Sequence, residues 1–173
     1  LVDGYNIIFA WEELKELAEA SIDGARTKLM DILCNYQGYR KCTVILVFDA
    51  YRVEGHACEV SRYHNIHVVY TREAETADQY IEKTVHEIGK RYQVTVATSD
   101  RIEQVIIMGQ GARRLSARDF REEVMLAQRQ IRENLGEQKE GKRYFLGELA
   151  PELTGAGKRG EEKDGAQHTD DWS

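Results

Sequence analysis

Four aspartates stand where this chain could assemble a hydrolytic centre: Asp3 in Leu-Val-Asp-Gly-Tyr-Asn, Asp49 in Val-Ile-Leu-Val-Phe-Asp-Ala, Asp78 in Glu-Thr-Ala-Asp-Gln-Tyr-Ile and Asp100 in Val-Ala-Thr-Ser-Asp-Arg. Each follows an apolar run or falls in the first turn of a predicted helix. In a parallel sheet the C-terminal strand ends share one edge, where open α/β folds place their sites. Carboxylates gathered there repel one another unless a cation lies between them. Hydrolysis of a phosphodiester needs a nucleophile formed at neutral pH and stabilisation of the leaving oxygen, and carboxylate-held Mg²⁺ or Mn²⁺ supplies both. Hard oxygen ligands favour those ions over zinc, which recruits His or Cys.

Each aspartate also has a plainer reading. Gly4 permits a sharp exit after Asp3, and Asn6 just beyond can hydrogen-bond a water or a carboxylate, yet Asp-Gly is also a common turn dipeptide. Asp78 borders the inner face formed by Ala77 and Ile81, but an acid in a first helical turn also complements the macrodipole, a role open to Glu75 as well. Asp100, beside the hydroxyls of Thr98 and Ser99, could be the N-cap of its helix, and Asp49 could only start a turn. Coincidence of all four plain readings is less expected than any one.

The elements that must position these residues alternate. Leu1 to Asp3 ends a strand; Trp11 to Ala20 and Ile22 to about Tyr36 carry helical spacing, with Leu14, Leu17 and Ala18 on one face and Ala25, Leu29, Ile32 and Leu33 on the next. Thr43 to Phe48 is a continuous apolar run, as in strands buried on both faces. Tyr51 to Asn65 is a polar excursion with room for a short strand, and Ile66 to Tyr70 is a strand. Thr76 opens a helix to Tyr92 with a capping-box spacing to Gln79, Ala77, Ile81, Val85 and Ile88 facing inward. Val94 to Ala97 is a strand, Asp100 to about Met108 a short helix, Leu115 the end of a last strand, and Ser116 the start of a helix to about Leu135. This alternation predicts a parallel sheet with helices on both faces. Residues 1–135 form the expected domain, 136–153 a partly ordered extension, and 154–173 a disordered tail rich in Gly, Lys and Glu.

The 173 residues suit one domain with a full core, and no apolar run approaches the roughly 18 residues of a membrane span. The opening Leu-Val-Asp carries no initiator Met and no signal-type segment, so the first strand is expected to begin a few residues upstream. Cys34, Cys42 and Cys58 have no CxxC spacing and read as reduced thiols of a cytosol-like compartment; His56, Cys58, His64 and His67 fit no common zinc module. No P-loop and no Gly-x-Ser-x-Gly elbow occurs. The net charge of −6 argues against bulk electrostatic capture of nucleic acid. Binding RNA would require a local basic patch, a metal, or delivery by another macromolecule. Arg114, Arg118 and Arg121 share a helical spacing that could hold an RNA backbone, or could form a solvated face salted by Asp119, Glu122 and Glu123. Tyr5, Tyr51 and Tyr63 could stack on bases or belong to the core and its rim.

From Asp-Gly-Tyr-Asn onward, the chain resembles the YacP-like family of the NYN branch of PIN-like nucleases. The matching stretches are Leu-Val-Asp-Gly-Tyr-Asn-Ile-Ile, Val-Phe-Asp-Ala, Glu-Thr-Ala-Asp-Gln-Tyr-Ile-Glu, Val-Ala-Thr-Ser-Asp and Gly-Ala-Arg-Arg-Leu-Ser-Ala-Arg-Asp-Phe, in family order over residues 1 to about 135. The resemblance implies a three-layer α/β/α fold with a mainly parallel sheet and a Mg²⁺- or Mn²⁺-dependent endoribonuclease. It carries metal-site roles onto Asp3, Asp78 and Asp100, with Asn6 in support and Asp49 a less certain ligand. The family is linked to ribosome-associated cleavage of mRNA, in a bacterial cytosol or plastid stroma. The rival reading is a catalytically weak RNA- or ribosome-binding module; a phosphatase or a flap-type DNA nuclease on a related sheet is a third.

Overall fold

A computed structural model describes residues 1–49, 59–101 and 107–153, with side chains as far as residue 136. Among the described residues, six strands form one sheet: β1 (Val2–Asp3), β2 (Ile45–Phe48), β3 (Glu59–Tyr63), β4 (Ile66–Tyr70), β5 (Thr95–Ala97) and β6 (Arg113–Leu115), in the spatial order β3-β4-β2-β1-β5-β6. All neighbours pair in parallel except β3 and β4, a hairpin turned through Tyr63 and Ile66. The expected mainly parallel α/β sheet flanked by helices is therefore present, in a three-layer PIN-like arrangement.

Strand alternation builds two cores. Leu46 and Phe48 join Val2, Val68 and Ala97 on one face, whereas Val47 joins Val69 and Val96 on the other. The first face is covered by α1 (Gly4–Ala10), α2 (Glu12–Ala20), α3 (Ile22–Arg40) and the start of α5 (Ala117–Leu153), which bury Ile7, Ile8, Leu14, Leu29, Leu33, Phe120 and Val124. The second is covered by α4 (Ala77–Ile88) through Ala77, Ile81 and Val85, the inward residues that its spacing predicts. The capping box at its start is formed: the Gln79 N–H donates to Thr76 Oγ1 at 3.2 Å, and the Thr76 N–H to Gln79 Oε1 at 3.1 Å. Trp11 fastens the α1–α2 junction to α5 by donating from Nε1 to the Ala117 carbonyl at 2.8 Å.

Two elements differ from the expectation. Helix α1 follows Asp3 directly, although Tyr5, Ile7, Ile8 and Phe9 are indifferent helix formers; burial of Tyr5, Ile7 and Ile8 overrides their propensity. Helix α5 continues to Leu153 rather than ending near Leu135. The chain divides into compact units Leu1–Glu133 and Asn134–Ser173, and the sheet and both cores lie in the first. The expected tail at 154–173 lies outside the described residues, as do Tyr51, His56 and Cys58 of the polar excursion and most of the helix predicted after Asp100. Among the described residues no helix is long and apolar enough to cross a membrane.

Candidate active site

The order of the parallel strands puts β1 between β2 and β5, with Val2 opposite both Leu46 and Ala97 and Asp3 opposite Val47. Asp3, Asp49 and Ser99 thus emerge at the same sheet edge. Helix α4 adds Asp78 from its first turn. Asp3, Asn6, Phe9, Asp49, Asp78 and Ser99 line a shallow cavity of about 390 Å³. A larger cavity, about 600 Å³, opens elsewhere beside Leu1, Val44 and Val94. Among its described lining residues the carboxylate is Glu123, which already accepts from the Tyr36 hydroxyl at 3.0 Å and from Arg113 at 3.2 Å. Of these two cavities, the smaller gathers the aspartates.

Backbone capping and site building use the same side chains here. Asp3 is the N-cap of α1, its Oδ1 accepting from the Asn6 N–H at 3.1 Å. Asp49, the least certain member by sequence, accepts from the Ala77 N–H at 2.6 Å and so fastens the start of α4 to the end of β2. Asn6 crosses to the strand-end of β5: its Oδ1 accepts from the Ser99 N–H at 2.7 Å and from the Ser99 hydroxyl. Asp100 does not line the cavity; its N–H donates to Thr98 Oγ1 at 3.1 Å. The Asp3 carboxylate thus caps α1 and lines the cavity at once.

Burial pushes the Asp3 carboxyl up to about 7; the Asn6 N–H works against this, and Asp78, through charge and a shared hydrogen bond, and Asp49 reinforce it. The folded chain keeps a proton that the unfolded chain loses from about pH 4, so metal-free stability falls as pH rises from about 4 to about 7. Asp3→Asn removes that loss and keeps a good N-cap. In a chelator, Asp3→Asn is expected to be more stable than the parent by about 2 kcal/mol at neutral pH. The advantage should fade toward pH 4, as urea unfolding across that range would show; a pH-independent difference would contradict the cause assigned.

An all-oxygen donor set suits a hard divalent cation. Asp3 and Asp78 would hold it, with Asp49 on the same cavity lining. Among the described residues, however, no three His, Cys, Asp or Glu side chains stand as a ready-made ligand group. The donor chemistry fits the cation, but the carboxylates are not already closed around a point. His64 and His67 likewise form no metal group among the described residues.

Of the arginine stripe, Arg114 lies in β6 and Arg118 and Arg121 in the first turns of α5. Arg121 forms a two-point pair with Glu13 of α2 at 3.1 and 2.9 Å, and Arg118 meets Glu122 at 3.4 Å. Exposed pairs of this kind are worth about 0–1 kcal/mol, so a phosphate could displace either acid.

Helix α1 forms a further wall of the site and brings Phe9 to it, a feature with little signal in the sequence. Equally unannounced is Arg26, a buried guanidinium that donates to the Tyr5 hydroxyl at 2.9 Å and pairs with Asp23. The only sequence signal was the i, i+3, i+4 spacing of Asn6, Phe9 and Ala10, hidden in an apolar stretch without clear periodicity.

The YacP-like NYN domain profile matches residues 1–156. This chain belongs to the YacP-like NYN domain family. It is 45% identical over 132 residues to the uncharacterized protein YacP of Bacillus subtilis (strain 168), covering 76% of this chain and 77% of that one. The crystal structure of Rae1 (YacP) from Bacillus subtilis superposes with a TM-score of 0.71 at 40% identity, over 88% of each chain. A mutant of Rae1 gives 0.70 at 40% identity, over 80% of this chain and 82% of that one. The relation of this family to the PIN-like ribonucleases supports nuclease activity for its YacP-like members.

Proposed function

We propose that this YacP-like chain is a Mg²⁺- or Mn²⁺-dependent endoribonuclease acting on mRNA in association with the ribosome. The observation that carries the reading is the convergence of Asp3, Asp49 and Asp78 on one cavity at the sheet edge. Asp3 and Asp78 would hold the cation, which supplies an acidified water and offsets charge on the phosphate when bound. Asn6, held by Ser99, keeps the wall between β1 and β5 in place. Asp49 fixes the first turn of α4 and so the position of Asp78. Arg114, Arg118 and Arg121 would meet the RNA backbone, and Asp100 would join the ligand set on the family resemblance alone. An acidic protein suits docking on a large partner, because it lacks the net positive charge for bulk capture of RNA.

Cleavage of single-stranded RNA in Mn²⁺, abolished by EDTA, is the expected result. Cleavage of a DNA flap or a phosphomonoester in preference to RNA would overturn it. Asn6→Ala is expected to lower kcat by roughly 10- to 100-fold, the usual effect of losing a group that orients a metal site. Single-turnover cleavage would show it, and an unchanged rate would remove Asn6 from the site. One observation favours the rival, a weakly catalytic RNA- or ribosome-binding module: no closed three-donor group exists among the described residues. RNA binding without cleavage at saturating Mn²⁺ would decide for it.

A further inference from the structure

We propose that Phe9 is a stacking platform for one unpaired nucleobase beside the acidic cavity, giving the site a preference for single-stranded RNA; this deepens the nuclease reading and rests on it. Phe9 is 43% exposed, and of the exposed large apolar residues described it is the one that lines this cavity. It lies three residues after Asn6 on α1, so the two side chains share a helix face and are neighbours across one turn. Ala10 beside it is small and also lines the cavity.

The ring is backed rather than loose. Tyr5 stacks on it with centroids 6.4 Å apart and planes 26° from parallel. Tyr5 in turn packs against Phe48 at 5.0 Å, and its hydroxyl is held by buried Arg26 at 2.9 Å. A platform fixed in this way loses little freedom when a base lands on it. Every base offers a π face, so the contact tolerates sequence. In a duplex, neighbouring base pairs cover those faces, so only an unpaired nucleotide can use the platform. With its phosphate near Asp3 and Asp78, such a nucleotide would place its base over Phe9.

Fluorescence anisotropy of a labelled single-stranded oligoribonucleotide, in the Asp78→Asn background, tests this directly. Phe9→Ala is expected to weaken binding by roughly 5- to 150-fold, the range for loss of one base–aromatic stack, while Phe9→Trp retains it. The matched duplex should bind both variants alike, and Mn²⁺ affinity measured in the Asp78-containing chain should not change with Phe9→Ala. An abasic nucleotide at the stacked position should weaken binding to the Phe9-containing chain and cause no further loss in Phe9→Ala. Equal single-strand affinity for Phe9→Ala and its parent, or an equal loss for duplex, would overturn the platform alone if the unsubstituted chain cleaves RNA. A chain that neither binds nor cleaves RNA would remove both the platform and the nuclease reading.

Discussion

The Asp3→Asn/Asp78→Asn double substitution is expected to lower RNA cleavage by roughly 10³-fold or more, because a bound cation contributes several kcal/mol of transition-state stabilisation. The two carboxylates approach the cavity from different elements, one as the N-cap of α1 and one from the first turn of α4. Asparagine caps a helix as well as aspartate does, so the α1 start should survive. At position 78 the loss is a charge–dipole term of about 0.3–1 kcal/mol, which relief of repulsion at Asp3 offsets. The variant should therefore fold, with circular dichroism like the parent's, and should no longer gain stability from Mn²⁺. Cleavage at the parent's rate by the folded double variant would sink the metal-site assignment.

Gly4→Ala is expected to destabilise the fold by about 3 kcal/mol or more, at the upper end of overpacking costs. A Cβ at this position would stand 2.2 Å from Phe48 Cε1, 2.4 Å from Cδ1 and 2.9 Å from Cζ. The ring cannot swing aside: Phe48 is fully buried, with Tyr5 at 5.0 Å and Tyr70 at 5.6 Å. Relief must come from moving α1, which carries Asn6 and Phe9 and is capped by Asp3. Thermal unfolding should drop by roughly 10 °C, and activity should fall at temperatures where the variant remains folded. Gly4→Ala/Phe48→Leu shares one contact and should recover part of the loss, so its cost should be less than the sum of the single variants. Additive costs would show that the ring contact is not the reason for glycine.

Much of the scaffold was legible because its signals are local. The apolar run before Asp49 alternates between two cores, as an unbroken β-branched run implies. Thr76 and Gln79 announce the start of α4 by a hydrogen-bond geometry that needs only four consecutive residues. Leu115 and Ser116 likewise mark the step from β6 to α5, where the Asp119 N–H donates to Ser116 Oγ at 3.1 Å. Helix α1 was not legible. Its residues have little helical preference, and it forms because Tyr5, Ile7 and Ile8 are buried against the sheet and α3.

The alternating α/β class, the inner faces of the helices, the family, and the aspartates at strand ends and in one first helical turn are all readable along the chain. Which of those aspartates share a cavity depends on how the strands are ordered in space. Asp3, Asp49 and Asp78 share a cavity because β1 is inserted between β2 and β5, whereas Asp100 lies off its lining. Asn6 finds Ser99 across 93 residues, and Arg26 finds Tyr5 across 21. Propensity and periodicity act over a turn or a strand; the meeting of carboxylates, and the burial that raises the Asp3 carboxyl, depend on strand order and packing that no local pattern encodes.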